Sequence, residues 1–163
     1  MNRLAATFLL IALAGSARAG YDKAKWGMTS PQVAKLYPGG HEGEQEGESA
    51  YAVVAQVAGI PALITFLFHP KDGLHSVTVV FPQQGSKFDP GSDVYAPLAS
   101  RDAERVREAV RQELLKRYGP PAIHGEGTDT PTGWATKDGD LVVLRTARDD
   151  ADHVTVSISF TKG

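Results

Sequence analysis

Residues 154–160 read Val-Thr-Val-Ser-Ile-Ser-Phe, an alternation of apolar and short hydroxyl side chains. A period of two is that of a half-buried β-strand, with Val154, Val156, Ile158 and Phe160 on one face and Thr155, Ser157 and Ser159 on the other. His75 to Phe81 repeats the pattern, with Val77, Val79 and Phe81 opposed to Ser76 and Thr78. In Ala62 to Phe68 the phase is different: Leu63, Thr65 and Leu67 share one side, against Ile64, Phe66 and Phe68. Tyr51 to Val57, Gly133 to Lys137 and Leu141 to Ala147 complete six predicted strands, and Leu141 to Leu144 is apolar on both sides. Ala58-Gly59-Ile60-Pro61, Pro70-Lys71-Asp72-Gly73 and Asp138-Gly139 supply turn chemistry between them.

Two stretches switch to helical spacing. Thr29-Ser30-Pro31-Gln32 reads as a helix start, with Thr29 as N-cap, Gln32 closing a capping box, and Met28 and Val33 placed as a hydrophobic staple. Pro31 costs nothing in a first turn, and Pro38-Gly39-Gly40 ends the helix after Tyr37. The second helix begins at Ser100 as N-cap and places Ala103, Val106, Val110, Leu114 and Tyr118 on one face. Gly119 and Pro120-Pro121 stop it. Between the first helix and its strands, 41–48 holds Glu42, Glu44, Glu46 and Glu48 with no apolar residue, and predicts a mobile loop or hairpin tip.

The expected plan is α+β: two helix–three-strand units, about 26–82 and 100–163, joined by an irregular connector at 83–99. They are expected to form one antiparallel sheet with both helices on one face. The order of elements further suggests an internal duplication.

The first nineteen residues stand apart. Arg3, an apolar run from Leu4 to Ala14, and Ala17-Arg18-Ala19 have the layout of a secretory signal, with cleavage expected between Ala19 and Gly20. A membrane span needs about 20 apolar residues, which this run does not reach. What remains, 20–163, is the size of one domain, with fifteen basic residues against nineteen acidic ones and a net charge of about −4. That balance gives no basic face for nucleic acid. The chain has no cysteine, which excludes disulfides, thiol catalysis and thiolate metal sites. A periplasmic or secreted location follows, without a membrane span after processing.

Trp26-Gly27-Met28-Thr29-x-x-Gln32-Val33, followed by Gly39-Gly40, resembles the opening of the β-lactamase inhibitory protein repeat. It is also similar to the small outer-membrane-assembly lipoproteins that share a helix-plus-sheet unit. Leu114-x-x-x-Tyr118-Gly119-x-Pro121, a later Trp134 and a final alternating strand resemble the closing half of exported bacterial proteins of the same build. The resemblance implies an inhibitor-like or envelope-assembly-like role. Unlike those proteins, this chain carries neither a lipidation cysteine nor a second Gly-Met-Thr opening.

Sites of chemistry are few. There is no nucleophile elbow, no His-Glu-x-x-His and no phosphate-cradling loop. His41, His69, His75, His124 and His153 read as surface residues, the four glutamates lack calcium-loop spacing, and Asp149-Asp150-Ala151-Asp152 reads as a charged hairpin tip. No metal, cofactor or catalytic residue is expected. The strands offer more. Leu63, Thr65, Leu67, Thr78, Thr155, Ser157 and Ser159 should share the sheet's outer face, a carpet of short hydroxyls carrying aliphatic side chains. Either the connector covers that face or it is a docking surface for another exported or envelope protein. A pocket between sheet and connector, binding a small molecule or cell-wall fragment, is the alternative. No feature specifies an oligomeric state.

Overall fold

The computed structural model describes residues 20–83, 98–124, 130–148 and 153–163. The expected signal peptide, the connector apart from its ends, and the Asp149–Asp152 tip lie outside the described residues.

The chain opens with β1 (Gly20–Tyr21) and β2 (Ala24–Lys25), a two-stranded pair, followed by α1 (Ser30–Leu36). Next come β3 (His41–Gln45), β4 (Glu48–Val57), β5 (Ile60–His69) and β6 (Gly73–Phe81). After β7 (Leu98–Ala99) and α2 (Ser100–Tyr118) the chain finishes with β8 (Thr132–Ala135), β9 (Leu141–Arg148) and β10 (His153–Thr161). One eight-stranded antiparallel sheet runs in the order β3-β4-β5-β6-β10-β9-β8. The eighth strand, β7, pairs with β10 at Val154, just beyond the point where β6 leaves it at Val156.

This architecture corrects the expected α+β plan. The protein is mostly β, an eight-stranded sheet and a two-stranded one with only two helices among the described residues, and not two helix–three-strand units. The glutamate-rich segment is the main reason. It forms β3, exposed at every position and paired with β4 through its backbone. An edge strand wetted on both faces needs no apolar alternation, and its charges deter further strand addition. Glu46 (φ 53°) and Gly47 (φ 82°) make the two-residue turn that joins the pair. The first half thus contributes four strands to the sheet, the second three plus the short β7, and α1 has seven residues against nineteen in α2. Nothing in that layout supports a duplication.

Inward-facing side chains form a single core. Val33 of α1 and Ala103, Val106, Val110 and Leu114 of α2 pack over Ile64, Phe66, Val77, Val79, Ile158 and Leu144 of the sheet. The segment before α1 also belongs to this core: the ring of Tyr21 meets Phe66 and Phe160 edge-on, at 6.1 and 4.8 Å between centroids. At the start of α1, Gln32 Oε1 accepts the Thr29 N–H at 2.9 Å, which closes that arm of the capping box. Ser100 is the first residue of α2, with Ala99 as its N-cap. At its other end, the Gly119 carbonyl accepts a 2.9 Å hydrogen bond from the buried Trp134 indole and ties the helix to β8.

The solvent side of α2 is laced by ion pairs. Arg111 donates to both oxygens of Glu108 at 2.9 and 3.1 Å, and Gln112 adds a third hydrogen bond at 2.8 Å. These bonds hold the Glu108 carboxyl down at about 2. Because the folded value lies below the unfolded one, the stabilisation is present above about pH 4.5 and is lost as pH falls through 2. Glu108 is solvent-exposed, so screening limits it to about 0.3–0.5 kcal/mol. Glu108→Gln is therefore expected to melt slightly below wild type at pH 7 and together with it near pH 2, in paired thermal melts.

Candidate functional site: the outer sheet face

Strand register builds this face row by row, because residues directly opposite one another project to the same side. One row runs Val54–Leu63–Val80–Ser157–Arg145 from β4 to β9. The next is Ala52–Thr65–Thr78–Ser159–Val143–Gly133, and the third Ala50–Leu67–Ser76–Thr161–Leu141–Ala135. At about 4.8 Å per strand, the six strands of the second row cover about 24 Å.

The seven residues singled out by alternation all fall on this face. Thr65, Thr78 and Ser159 are consecutive across β5, β6 and β10, and form a hydroxyl row through the middle of the sheet. Ser157 lies one row away, between Val80 and Arg145. Thr155 sits beyond the end of β6, opposite Ala147. Leu67 is half-buried beside Ser76. Leu63, however, is only 7% exposed and has little apolar area to offer.

Further residues on the face were not singled out from sequence. Val80 is on the outer side by the same parity that put Thr78 there. Leu141, Val143 and Arg145 are on β9, whose four-residue apolar run hides its phase until pairing with β10 sets it. Arg145 is the only Lys, Arg, Asp or Glu in the three rows. Ile123 makes an isolated bridge with Gly133, and its side chain fills the space that a Cβ at Gly133 would enter, within 3.2–3.5 Å. No sequence signal marks that contact.

Among the described residues three large hydrophobics are exposed: Val54 at 42%, Leu141 at 41% and Ile123 at 52%. All three belong to this face. The middle of the inner face, by contrast, is covered by the helices and the β1–β2 segment.

Other candidates do not converge. Glu42 and Glu44 project to the side opposite Glu48, and Glu42 accepts a hydrogen bond from Ser30 while Glu48 is paired with His75 at 2.9 Å. His69 lies 6.4 Å from His75 between ring centroids and pairs with Asp72. Among the described residues no group of three His, Asp or Glu is placed to hold a metal, and no helix is long and apolar enough to cross a membrane. Burial raises the hydroxyl pKa values of Tyr21, Tyr37 and Tyr118, which keeps them neutral. A cleft of about 30 Å³ between Ala103 and Arg107 of α2 and Thr146 of β9 has room for one water. Compared with known proteins, the chain matches no family model, no curated protein and no solved structure.

Proposed function

We propose that this chain is an exported, non-catalytic protein that binds another exported or envelope protein through the outer face of its sheet. The observation that carries the reading is that Val54, Leu141 and Ile123, the exposed large hydrophobics of the described residues, all lie on one face whose three rows hold a single Lys, Arg, Asp or Glu, Arg145. Apolar side chains held at a sheet surface gain from desolvation at about 25 cal/mol per Å². The short hydroxyls of Thr65, Thr78, Ser157 and Ser159 leave room for bulky side chains of a partner, which would supply the anchors. Arg145 at the margin adds a preference for an acidic group opposite it. The signal-like first nineteen residues support the location. The alternative, a small-molecule pocket between sheet and connector, lies mostly outside the described residues; among those described, the cleft beside α2 admits a single water.

Ser159→Arg tests this reading. Ser159 has Thr78 and Val143 opposite it, so an arginine there meets no like charge, whereas at Ser157 it would oppose Arg145. The variant is expected to melt within a few degrees of wild type and to lose its partner from crosslinked envelope fractions at least tenfold. Undiminished recovery of the same crosslinked protein by a folded Ser159→Arg chain would remove the sheet face from consideration.

A further inference from the structure

Asp140 is a buried carboxylate, 5% exposed, in the turn between β8 and β9. Its Oδ2 accepts the Gly20 N–H at 3.2 Å, and its Oδ1 accepts the Gly163 N–H at 3.5 Å. The backbone of Asp140 is fixed as well: its N–H donates to Thr136 Oγ1 at 3.1 Å and its carbonyl accepts the Thr136 N–H at 2.8 Å. The ion pairs found among the described residues are His69–Asp72, His75–Glu48, Arg105–Asp102 and Arg111–Glu108, and Asp140 is in none of them. A buried carboxylate with no counter-charge among the described residues is costly, and proteins almost always pair such a group.

Gly20 is also the residue at which the signal reading expects the mature chain to begin. We propose that Asp140 is the receptor for the new N-terminus: cleavage before Gly20 creates an ammonium group that pairs with this buried carboxylate and completes the folded domain. The inference rests on the export reading for the cleavage itself. Hydrolysis of the Ala19–Gly20 amide consumes one water and yields the Ala19 carboxylate and the Gly20 ammonium. A neutral donor 3.2 Å from Oδ2 thereby becomes a cation at the same place.

The surrounding structure holds Gly20 in position. Its φ is +128°, and a Cβ would sit 2.2 Å from the Ala24 carbonyl oxygen, so only glycine fits. Tyr21 and Ala24 are buried in the core directly after it. Gly163 is pressed against the Gly139 carbonyl. One carboxylate at the β8–β9 turn thus accepts from both Gly20 and Gly163.

The test compares a chain beginning at Gly20 with a free amine and the same chain Nα-acetylated. Acetylation keeps the N–H donor and removes only the charge. It is expected to lower the melting temperature by about 5 °C. In an Asp140→Asn background the same modification should shift it by less than about 1 °C. An equal drop in both backgrounds overturns the pairing. Should Asp140→Asn fail to fold, labelling of the wild-type amine decides: an amine-acylating reagent at neutral pH should react about tenfold more slowly with the folded protein than with the protein in urea, and equal rates overturn the proposal. N-terminal sequencing of the protein from the exporting cell separates the two ideas. A start other than Gly20 overturns the processing step, and a Gly20 start with no effect of acetylation overturns the clasp.

Discussion

Phe66→Ala is expected to cost about 3–5 kcal/mol, the range for truncating a fully buried aromatic residue. Phe66 lies on β5, one of the inner strands of the sheet, and has no solvent exposure. Its ring meets those of Tyr21, Tyr37 and Tyr51 at centroid separations of 6.1, 4.9 and 6.5 Å. These three tyrosines come from the N-terminal segment, the end of α1 and β4, so one side chain joins three parts of the chain to the sheet. The Tyr51 hydroxyl extends the connection by accepting the Gly40 N–H and donating to the Tyr37 carbonyl. Removing the ring leaves a cavity lined by side chains that are themselves tied down, which limits collapse and places the cost toward the upper end. Urea unfolding followed by tryptophan fluorescence measures it. Val54→Ala, on the outer face, should lose less than about 1 kcal/mol in the same experiment. Comparable losses at the two positions would mean that the two faces of the sheet are not distinguished as described.

Alternation and turn chemistry made six strands, β4, β5, β6, β8, β9 and β10, and the outward set legible. Val154 to Phe160 shows the reason: one wet face and one dry face write a period of two directly into the sequence. Each strand that escaped the reading lacked that contrast. β3 is wet on both sides, so Glu42, Gly43 and Glu44 carried no signal, and the expected count of three strands per helix followed from missing it. β1, β2 and β7 are two residues long, shorter than any period. The candidate face was legible for the same reason as the strands: parity alone assigns Thr65, Thr78 and Ser159 to one side. Parity does not say which strands are neighbours. The pairing of β6 with β10, distant in the chain, is what aligns Thr78 with Ser159, and the pairing of β9 with β10 is what brings Arg145 beside Ser157. Contacts of that range depend on the whole fold, as do the seat of Ile123 on Gly133 and the meeting of Gly20 with Asp140.

Gly73→Ala is expected to cost about 3–5 kcal/mol, although it adds a single methyl group. Two penalties act together. Gly73 has φ +68°, a conformation that strains a residue with a Cβ by about 1–3 kcal/mol. The added Cβ would also lie 2.4 Å from the Gly27 carbonyl oxygen and 2.8 Å from that of Met28. Both obstacles are backbone atoms, so no rotamer change relieves the overlap, and overpacking of this kind costs about another 1–3 kcal/mol. The contact is a backbone-to-backbone seam. Gly27 N–H donates to the Leu74 carbonyl at 2.9 Å, and Leu74 N–H donates to the Met28 carbonyl at 2.8 Å. Forcing the two segments apart by even a few tenths of an ångström lengthens both bonds and tilts the entry to α1. The Gly27-Met28-Thr29 motif thus has a structural role beyond capping: Gly27, at φ +83°, lets the chain turn from β2 into α1 while it pairs with the start of β6. Gly59→Ala provides the control, since Gly59 also has positive φ, at +74°, but a Cβ there meets nothing within 4 Å. It should show the conformational penalty alone, about 1–2 kcal/mol. Equal losses at Gly73 and Gly59 in urea unfolding would mean that the Gly27–Gly73 seam contributes nothing beyond backbone strain.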